Sequence, residues 1–229
     1  MIERIVTWLE NKLIESKAGG FVLGLSGGLD SAVVGALCKK ASNNTTGLIL
    51  PCYSNDQDRK DAILVSSSFN IEVEVFDLCK VFDTFPLSFQ IKLTGMNVKS
   101  RLRMVTLYAY ANEYNRLVVG TGNRTERVLG YFTKHGDGGA DILPIGDLTK
   151  AEVKELARDL KVPQSIIDKA PSAGLWDGQT DEEEIGASYE EMDYFISGLE
   201  VHDDNKRQKL LNMALTAKHK ITPIPIFLK

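Results

Sequence analysis

The hydrophobic residues of the N-terminal half follow two alternating patterns. The first is helical, with apolar residues three or four positions apart; the clearest case precedes Gly19-Gly20 and consists of Ile2, Ile5, Val6, Leu9 and Leu13. The second is a short apolar run bounded by turn residues, typical of a buried strand; such runs occupy residues 21–25, 47–51, 71–78 and 117–120. Helical stretches, such as residues 32–41, separate the runs. This alternation predicts an α/β fold with a parallel sheet and helices on both faces.

Two sequences in the C-terminal half match the capping box that begins many helices. They pair Thr149 with Glu152 and Ser188 with Glu191, and they predict helices that begin near residues 150 and 189. Between them, residues 170–184 contain proline, glycine and a run of acidic residues. This composition predicts a long mobile loop, which we interpret as a lid over a binding site.

Length and composition fit one globular domain that spans residues 1–229, because hydrophobic residues make up 43% and charged residues 25% of the chain. The 27 basic and 31 acidic residues give a net charge of −4, which argues against a nucleic-acid partner held by bulk charge. No apolar run reaches the roughly 18 residues needed to cross a membrane. The cysteines, at positions 38, 52 and 79, lack CxxC spacing, so we expect reduced thiols and a cytoplasmic protein.

The strongest chemical motif is SGGLDS, residues 26–31, between a predicted strand and a predicted helix. Ligands of parallel sheets bind at the carboxyl ends of strands, and adjacent glycines, a helix N-terminus and serine hydroxyls together suit a phosphate group. The Walker lysine is absent, which argues against a kinase or GTPase. An aspartate beside phosphates indicates Mg²⁺ between them. The residues alone also allow Asp30 to be a helix cap beside an ordinary Gly-Gly turn.

SGGLDS closely resembles the pyrophosphate loop of the N-type ATP pyrophosphatases, which cleave ATP to AMP and pyrophosphate while forming an adenylate. Other segments narrow the resemblance to the NAD synthetases within this superfamily. In chain order they are NVKSRLRM at 97–104, GTGNRTE at 120–126, FTKHGDGGAD at 132–141, LTK at 148–150 and HK at 219–220. The resemblance implies a Rossmann-like adenine nucleotide alpha hydrolase fold. It also implies ATP-dependent amidation of deamido-NAD by ammonia, the final step of NAD biosynthesis.

The resemblance also implies a role for each matching residue. Asp30 and Glu126 are expected to bind Mg²⁺, and Asp30, Lys150 and Ser172 are expected to act in catalysis. The expected ATP-binding residues are Gly24, Leu25, Ser26, Gly27, Gly28, Leu29, Asp30, Ser31, Thr121, Lys150 and Ser172. The expected deamido-NAD-binding residues are Asn97, Arg101, Lys134, Asp137, Asp141, His219 and Lys220. Without the resemblance, Arg101 and Lys150 would be interpreted as surface charges and Glu126 as half of a local ion pair.

Some positions depart from the family pattern. Leu93 stands where some relatives have an aromatic residue that stacks on the pyridine ring, and Gly95-Met96 replaces their Lys-Gly. These departures predict a differently built pyridine pocket.

Two other functions stay open: another ligase of the superfamily, such as a tRNA-modifying enzyme, and a sensor that binds ATP without turnover. The negative net charge argues against the first, and Asp30, Glu126 and Lys150 together would be unnecessary in the second.

A predicted helix near Asn97 carries two apolar stripes. We expect the stripe Val98, Leu102, Val105 and Ala109 to contact the sheet. The second stripe is Met104, Leu107, Tyr108, Ala111 and Tyr114. It can be buried within the same chain or against a partner, and the resemblance favours a homodimer.

Relatives that use glutamine carry an additional amidase domain, for which 229 residues leave no room; free ammonia is therefore the expected nitrogen donor.

Overall fold

The computed structural model describes residues 1–171 and 180–227. The strands in these residues are β1 (Gly20–Gly24), β2 (Thr45–Ile49), β3 (Glu72–Val75) and β4 (Arg116–Val118). The helices are α1 (Ile2–Ser16), α2 (Leu29–Ala41), α3 (Asp56–Phe69), α4 (Cys79–Asp83), α5 (Lys92–Tyr114), α6 (Arg124–Leu129), α7 (Lys150–Asp159), α8 (Gln164–Ile167), α9 (Asp181–Ile185), α10 (Tyr189–Ile196) and α11 (Asp204–Ile221). None of these helices is both long and apolar enough to cross a membrane.

The four strands form one parallel sheet in the order β3-β2-β1-β4. Each strand overlaps one of the apolar runs in the sequence, so the predicted parallel sheet is confirmed. The bounds differ by a few residues: β1 begins at Gly20, and α1 ends at Ser16 with Lys17 as its C-cap in the left-handed conformation, φ 58°. The helix therefore ends before Gly19-Gly20, and Gly20 is already part of the central strand.

Helices cover both faces of the sheet, as predicted. Phe21 and Leu23 of β1 pack in one core with residues of α1, α2 and α7. Val22 lies between them in sequence and points to the opposite face, since side chains alternate along a strand; there it packs in a second core with Leu48 and Ala111 of α5. A third cluster joins α6, α10 and α11 beside the sheet. Burying a side chain such as Phe21 contributes about 1.5–3 kcal/mol.

The face of α5 that contacts the sheet was predicted only in part. Of the expected stripe, Val98 is buried and Leu102 packs against the core beside β1, whereas Val105 is 57% exposed and Ala109 is exposed. The second stripe supplies Leu107, Tyr108 and Ala111 to the same core. Both stripes have helical spacing, so periodicity alone did not distinguish them. Polar contacts between elements help to set the orientation of the helix: the Tyr108 hydroxyl donates to Asp141 Oδ1 at 3.1 Å.

Both predicted capping boxes are present. The side chain of Thr149 accepts a hydrogen bond from Glu152 N, and Ser188 accepts one from Glu191 N, at the first turns of α7 and α10. Residues 172–179, most of the predicted lid, lie outside the described residues. At the end of the predicted loop, Asp181–Ile185 form α9, capped by Thr180. Residues 181–184 are therefore helical rather than part of a loop as predicted, because the acidic run begins a helix, where carboxylates are favourable.

Candidate active site

The SGGLDS segment joins β1 to the first turn of α2 and is braced by its own serines. Ser26 Oγ accepts a hydrogen bond from Gly28 N at 3.2 Å, and the Ser31 hydroxyl donates to Gly28 O at 2.9 Å. Gly27 has φ +80°, and a Cβ atom there would lie 2.4 Å from Asp58 O. A residue with a side chain would be strained at this position and would collide with α3.

A cleft of about 800 Å³ opens above this segment at the carboxyl ends of the strands. Residues from the predicted ATP-binding and metal-binding sets line it: Gly24, Leu25, Ser26, Gly28, Leu29, Asp30, Ser31, Thr121, Glu126 and Lys150. Ser172, the remaining predicted catalytic residue, lies outside the described residues. The cleft is large enough for a nucleotide.

Three charged side chains meet at the bottom of the cleft. Lys150, the first residue of α7, donates a hydrogen bond through Nζ to Asp30 Oδ2. Glu126 Oε1 lies 3.8 Å from the same nitrogen. Asn123, the fully buried cap of α6, donates to Asp30 Oδ1 at 3.3 Å and accepts from Glu126 N at 2.9 Å. The structure therefore brings together three residues that are far apart in sequence.

The close packing of these charges changes their protonation. Burial and the negative charge of Asp30 raise the pKa of Glu126 to about 8. Burial alone would lower the pKa of Lys150, but the attraction of Asp30 and Glu126 outweighs it and the pKa is raised. Burial, assisted by Glu126 and Asp181, also raises the pKa of Tyr189, whose ring lies 5.1 Å from Lys150 Nζ. Lys150 is therefore a permanent positive charge.

The donor set at the bottom of the cleft suits magnesium. Among the described residues, no group of three or more His, Cys, Asp or Glu side chains could hold a metal ion. Mg²⁺ does not require such a group, since it commonly uses one or two carboxylates together with substrate phosphates and water. Asp30 and Glu126 provide two hard oxygen donors around one point beside the predicted phosphate loop, residues 26–31. The residues present therefore fit the predicted ion.

Three of the predicted deamido-NAD residues line the far end of the cleft: Asn97, Asp137 and Lys220. Asn97 Oδ1 accepts a hydrogen bond from the Thr133 hydroxyl at 2.7 Å. Asp137 Oδ1 accepts from the Ser100 hydroxyl at 2.6 Å. Lys220 Nζ donates to the carbonyl oxygens of Gly130 and Phe132 at 2.6 and 2.8 Å. The start of α5 and the end of α11 thus form one wall.

The other four predicted residues are not among those that line this cleft. Arg101 donates to Lys134 O at 3.2 Å, and Lys134 Nζ donates to His219 O at 2.6 Å, so these three lie together on the outer side of that wall. Asp141 accepts from Val118 N at 2.8 Å and from Tyr108. Within this chain Asp141 holds the end of β4 against α5, which is a structural role.

Several polar residues at the site were not predicted from the sequence. Lys169 contacts Asp58 and Asp61 of α3 at 2.9 and 2.5 Å beside the phosphate loop. Arg103 lines the cleft and donates to Leu50 O at 3.0 Å. Asp193 is buried on the same face of α10 as Tyr189 and Met192. A carboxylate on the apolar face of a predicted helix was the available signal for Asp193.

Comparisons with known proteins agree with this geometry. A family model described as NAD synthase matches residues 1–224. An NH(3)-dependent NAD(+) synthetase from Carboxydothermus hydrogenoformans is 50% identical over 202 residues, which cover 85% of this chain and 83% of that protein. An NMN synthetase structure from Francisella tularensis is 43% identical with a TM-score of 0.94, covering 99% of this chain and 97% of that one.

A structure of the NH3-dependent NAD synthetase from Campylobacter jejuni is 31% identical, with a TM-score of 0.82, and covers 100% of this chain and 97% of that one. These structures share the adenine nucleotide alpha hydrolase type of fold that the sequence predicted. The family match spans the phosphate loop, the Asp30, Glu126 and Lys150 cluster and the wall formed by α5 and α11. This chain therefore belongs to the NAD synthase family of ligases.

Proposed function

We propose that this chain catalyses the ATP-dependent amidation of deamido-NAD by ammonia, with NAD, AMP and pyrophosphate as products. The reaction is the final step of NAD biosynthesis. The observation that carries the proposal is the continuous cleft, which extends from the phosphate loop and Lys150 to Asn97, Asp137 and Lys220. One site can therefore hold a nucleoside triphosphate next to a pyridine nucleotide.

The phosphate loop is suited to the triphosphate. Gly27, at φ +80°, allows the tight turn into α2, and the N-terminus of α2 directs its partial positive charge toward an anion. Lys150 adds a full positive charge that is nearly buried, with a side chain 5% exposed. Because charge builds up on the phosphates when pyrophosphate leaves, a fixed lysine at this point stabilises the transition state.

Asp30 and Glu126 would hold Mg²⁺. A bound Mg²⁺ supplies positive charge to phosphate oxygens and so favours attack at the α-phosphate. Asn123 contributes indirectly. Its side chain is hydrogen-bonded both to Asp30 and to the backbone N–H of Glu126, and so it fixes the positions of the two residues relative to each other. This arrangement makes the carboxylates part of the site before any substrate arrives, which reduces the cost of ordering them.

In the proposed chemistry, the nicotinate carboxylate attacks the α-phosphate and pyrophosphate leaves. Ammonia then attacks the acyl carbon of the adenylate, and AMP leaves with one former carboxylate oxygen. Asn97, Asp137 and Lys220 line the far end of the cleft and would orient the pyridine nucleotide for the first step. A site that keeps water from the adenylate favours ammonia over hydrolysis. The catalytic role of Ser172 and the lid role of residues 170–184 stay predictions.

The active enzyme is proposed to be a homodimer in the cytoplasm. Val105 and Ala109 form an exposed apolar strip on α5, and Arg101 precedes Val105 by one helical turn. A second subunit against this strip would also cover Arg101 and its neighbour Lys134, which do not line the described cleft. The three cysteines are free, which suits a reducing compartment.

The proposal is tested by incubating the purified chain with MgATP, ¹⁵N-ammonium and one acceptor at a time. The acceptors are deamido-NAD, xanthosine monophosphate and aspartate. A reaction without acceptor measures ATP cleavage that is not coupled to amidation. We expect AMP, pyrophosphate and ¹⁵N-labelled NAD with deamido-NAD only. ADP as the stoichiometric product, or ATP binding without any amide product, would reject the proposal.

A second candidate substrate is nicotinate mononucleotide, the smaller acceptor whose amidation gives NMN. One observation favours it: the TM-score is 0.94 to the Francisella NMN synthetase and 0.82 to the Campylobacter NAD synthetase. Both acceptors carry the same carboxylate, so the chemistry described above applies to either.

The two acceptors differ by the AMP moiety of deamido-NAD, and the ratio of their kcat/KM values distinguishes them. If deamido-NAD is the substrate, contacts to its AMP moiety should give it a kcat/KM at least about tenfold higher, equivalent to about 1.4 kcal/mol. A preference for nicotinate mononucleotide of similar size would establish the second candidate and replace the first.

A further inference from the structure

A buried hydrogen-bond network lies directly behind the charged cluster and joins three helices. The Thr125 hydroxyl on α6 donates to Asp193 Oδ1 on α10 at 2.5 Å. The same hydroxyl oxygen accepts from the backbone N–H of Lys150 at 3.2 Å, and Asp193 Oδ2 accepts from the N–H of Ala151 at 3.0 Å. Thr125 is 1% and Asp193 7% exposed, and neither lines the cleft.

This network caps the helix that carries the catalytic lysine. The first N–H groups of a helix have no partner within the helix, and here Lys150 and Ala151 supply the first two of α7. The Thr149 side chain satisfies the N–H of Glu152. A carboxylate at this end also interacts favourably with the helix dipole. Asp193 therefore fixes the backbone from which the Lys150 side chain extends.

The network also sets where Lys150 lies relative to Glu126. Thr125 precedes Glu126 in α6, and Asn123, two residues earlier, holds Asp30. The N-terminal end of α6 thus contacts Asp30 through its cap, Asn123, and the N-terminus of α7 through Thr125. A shift of α7 against α6 would change the 3.8 Å separation between Lys150 Nζ and Glu126 Oε1.

We propose that Asp193 is a positioning residue for the reaction, acting with Thr125 on the backbone of Lys150 rather than on any substrate. The inference rests on the proposed function for the role of Lys150 in catalysis. Because displacement of a catalytic group by about 1 Å can cost about 100-fold in rate, loss of this network affects kcat strongly. It affects the KM for MgATP less, since the phosphate loop and Asp30 are left in place.

The test compares D193N and T125V with the wild type, with kcat and KM for MgATP as the measured values. The asparagine of D193N keeps one acceptor oxygen but cannot accept from both partners, and the valine of T125V keeps the shape of threonine without the hydroxyl. We expect kcat to fall about 10- to 100-fold in each variant, with KM for MgATP within about threefold of wild type. T125S should recover most of the kcat that T125V loses.

The control is D203A, which removes a capping carboxylate that has no hydrogen bond to this network. Asp203 Oδ1 accepts from Asn205 N and Lys206 N at 2.9 and 3.1 Å at the start of α11. D203A should lower Tm and leave kcat unchanged, which separates a loss of stability from a loss of positioning. The double variant D193N/T125V should lose little more activity than either single variant, because both changes break one network.

A substrate-free readout separates this inference from the proposed function. Backbone hydrogen exchange at Lys150 and Ala151 should be faster in D193N than in the wild type, with D203A unchanged. Absence of wild-type turnover would reject the proposed function without bearing on that exchange. Active wild type, together with folded D193N and T125V whose kcat stays within about twofold of it, would overturn the positioning role.

Discussion

Lys150 Nζ is hydrogen-bonded to Asp30 Oδ2, although 120 residues separate the two along the chain. The contact forms because each residue occupies the first turn of a helix, α7 and α2, and the two N-termini converge at the bottom of one cleft. Glu126 adds a second carboxylate near the same nitrogen. The parallel fold thus collects a positive charge and two metal-type oxygen donors beside the phosphate loop.

The carboxylate variants D30N and E126Q should abolish turnover while the fold is kept. Each removes one negative charge from the proposed Mg²⁺ site and almost no volume, so we expect kcat to fall by at least about 100-fold. E126Q should also raise Tm, because burial next to Asp30 disfavours the charged form of Glu126. E155Q, an exposed change on α7, is the control. A near-normal kcat in both D30N and E126Q would contradict the proposed Mg²⁺ site.

The two glycines of the phosphate loop should respond differently to alanine. G27A places a Cβ atom 2.4 Å from Asp58 O at φ +80°, and the strained backbone alone costs about 1–3 kcal/mol. In G28A the nearest atom is Ser26 Oγ at 3.3 Å and φ is −90°, so unfolding free energy should change by less than about 1 kcal/mol. Urea denaturation measures both, and equal losses would contradict the loop conformation.

The proposed dimer predicts that V105E produces monomers. A glutamate on the exposed strip of α5 would be buried against the partner without a counter-charge. L64E provides the matched control, since Leu64 is 41% exposed on α3 and Val105 is 57% exposed on α5. Sedimentation measures the mass of each variant, and binding of the pyridine nucleotide should weaken in V105E only. A wild-type chain that is monomeric at micromolar concentration and fully active would reject the dimer.

The ion pair between α10 and α11 predicts a pH dependence of stability. Hydrogen bonds from Lys206 and Ser188 N lower the pKa of Glu191, and Glu191 raises the pKa of Lys206. The Glu191 contribution is therefore present above its ordinary pKa of 4.5 and is lost as pH falls through the lowered value. The Lys206 contribution is present below 10.5 and is lost as pH rises through the raised value.

E191Q isolates this pair, because glutamine still fits the capping box with Ser188. The variant should lower Tm at about pH 7, and the loss should become smaller at an acidic pH below the lowered pKa of Glu191, where the carboxyl is protonated in both states. E190Q on the same helix is the control for general surface effects. An equal loss of Tm at both pH values would show that Glu191 acts through its cap alone.

Local signals predicted those parts of the fold that depend on residues close in sequence. The apolar runs located the strands, and the capping boxes at Thr149 and Ser188 located α7 and α10 to the residue. SGGLDS located the phosphate loop because its glycines and serines act on one another. The α5 stripes were only a partial guide, since members of both stripes pack in the core beside β1 and periodicity does not say which apolar face the sheet covers.

Contacts between distant elements were beyond the reach of these signals. Thr125 and Asp193 are 68 residues apart, and their pairing depends on how α6, α7 and α10 pack. Arg101, Lys134 and His219 were assigned to one substrate by resemblance, and the structure places them together but outside the described cleft. The resemblance identified the candidate residues, and the packing of the helices shows which of them lie on the same surface.

The formation of an adenylate is the central chemical claim, and oxygen transfer tests it most directly. Deamido-NAD labelled with ¹⁸O in both carboxylate oxygens is incubated with the wild-type chain, MgATP and ammonium, and the products are analysed by mass spectrometry. The account predicts one ¹⁸O atom in AMP, none in pyrophosphate and one in the new amide. ADP together with ¹⁸O-labelled inorganic phosphate would contradict it, because the carboxylate would then have attacked the γ-phosphate.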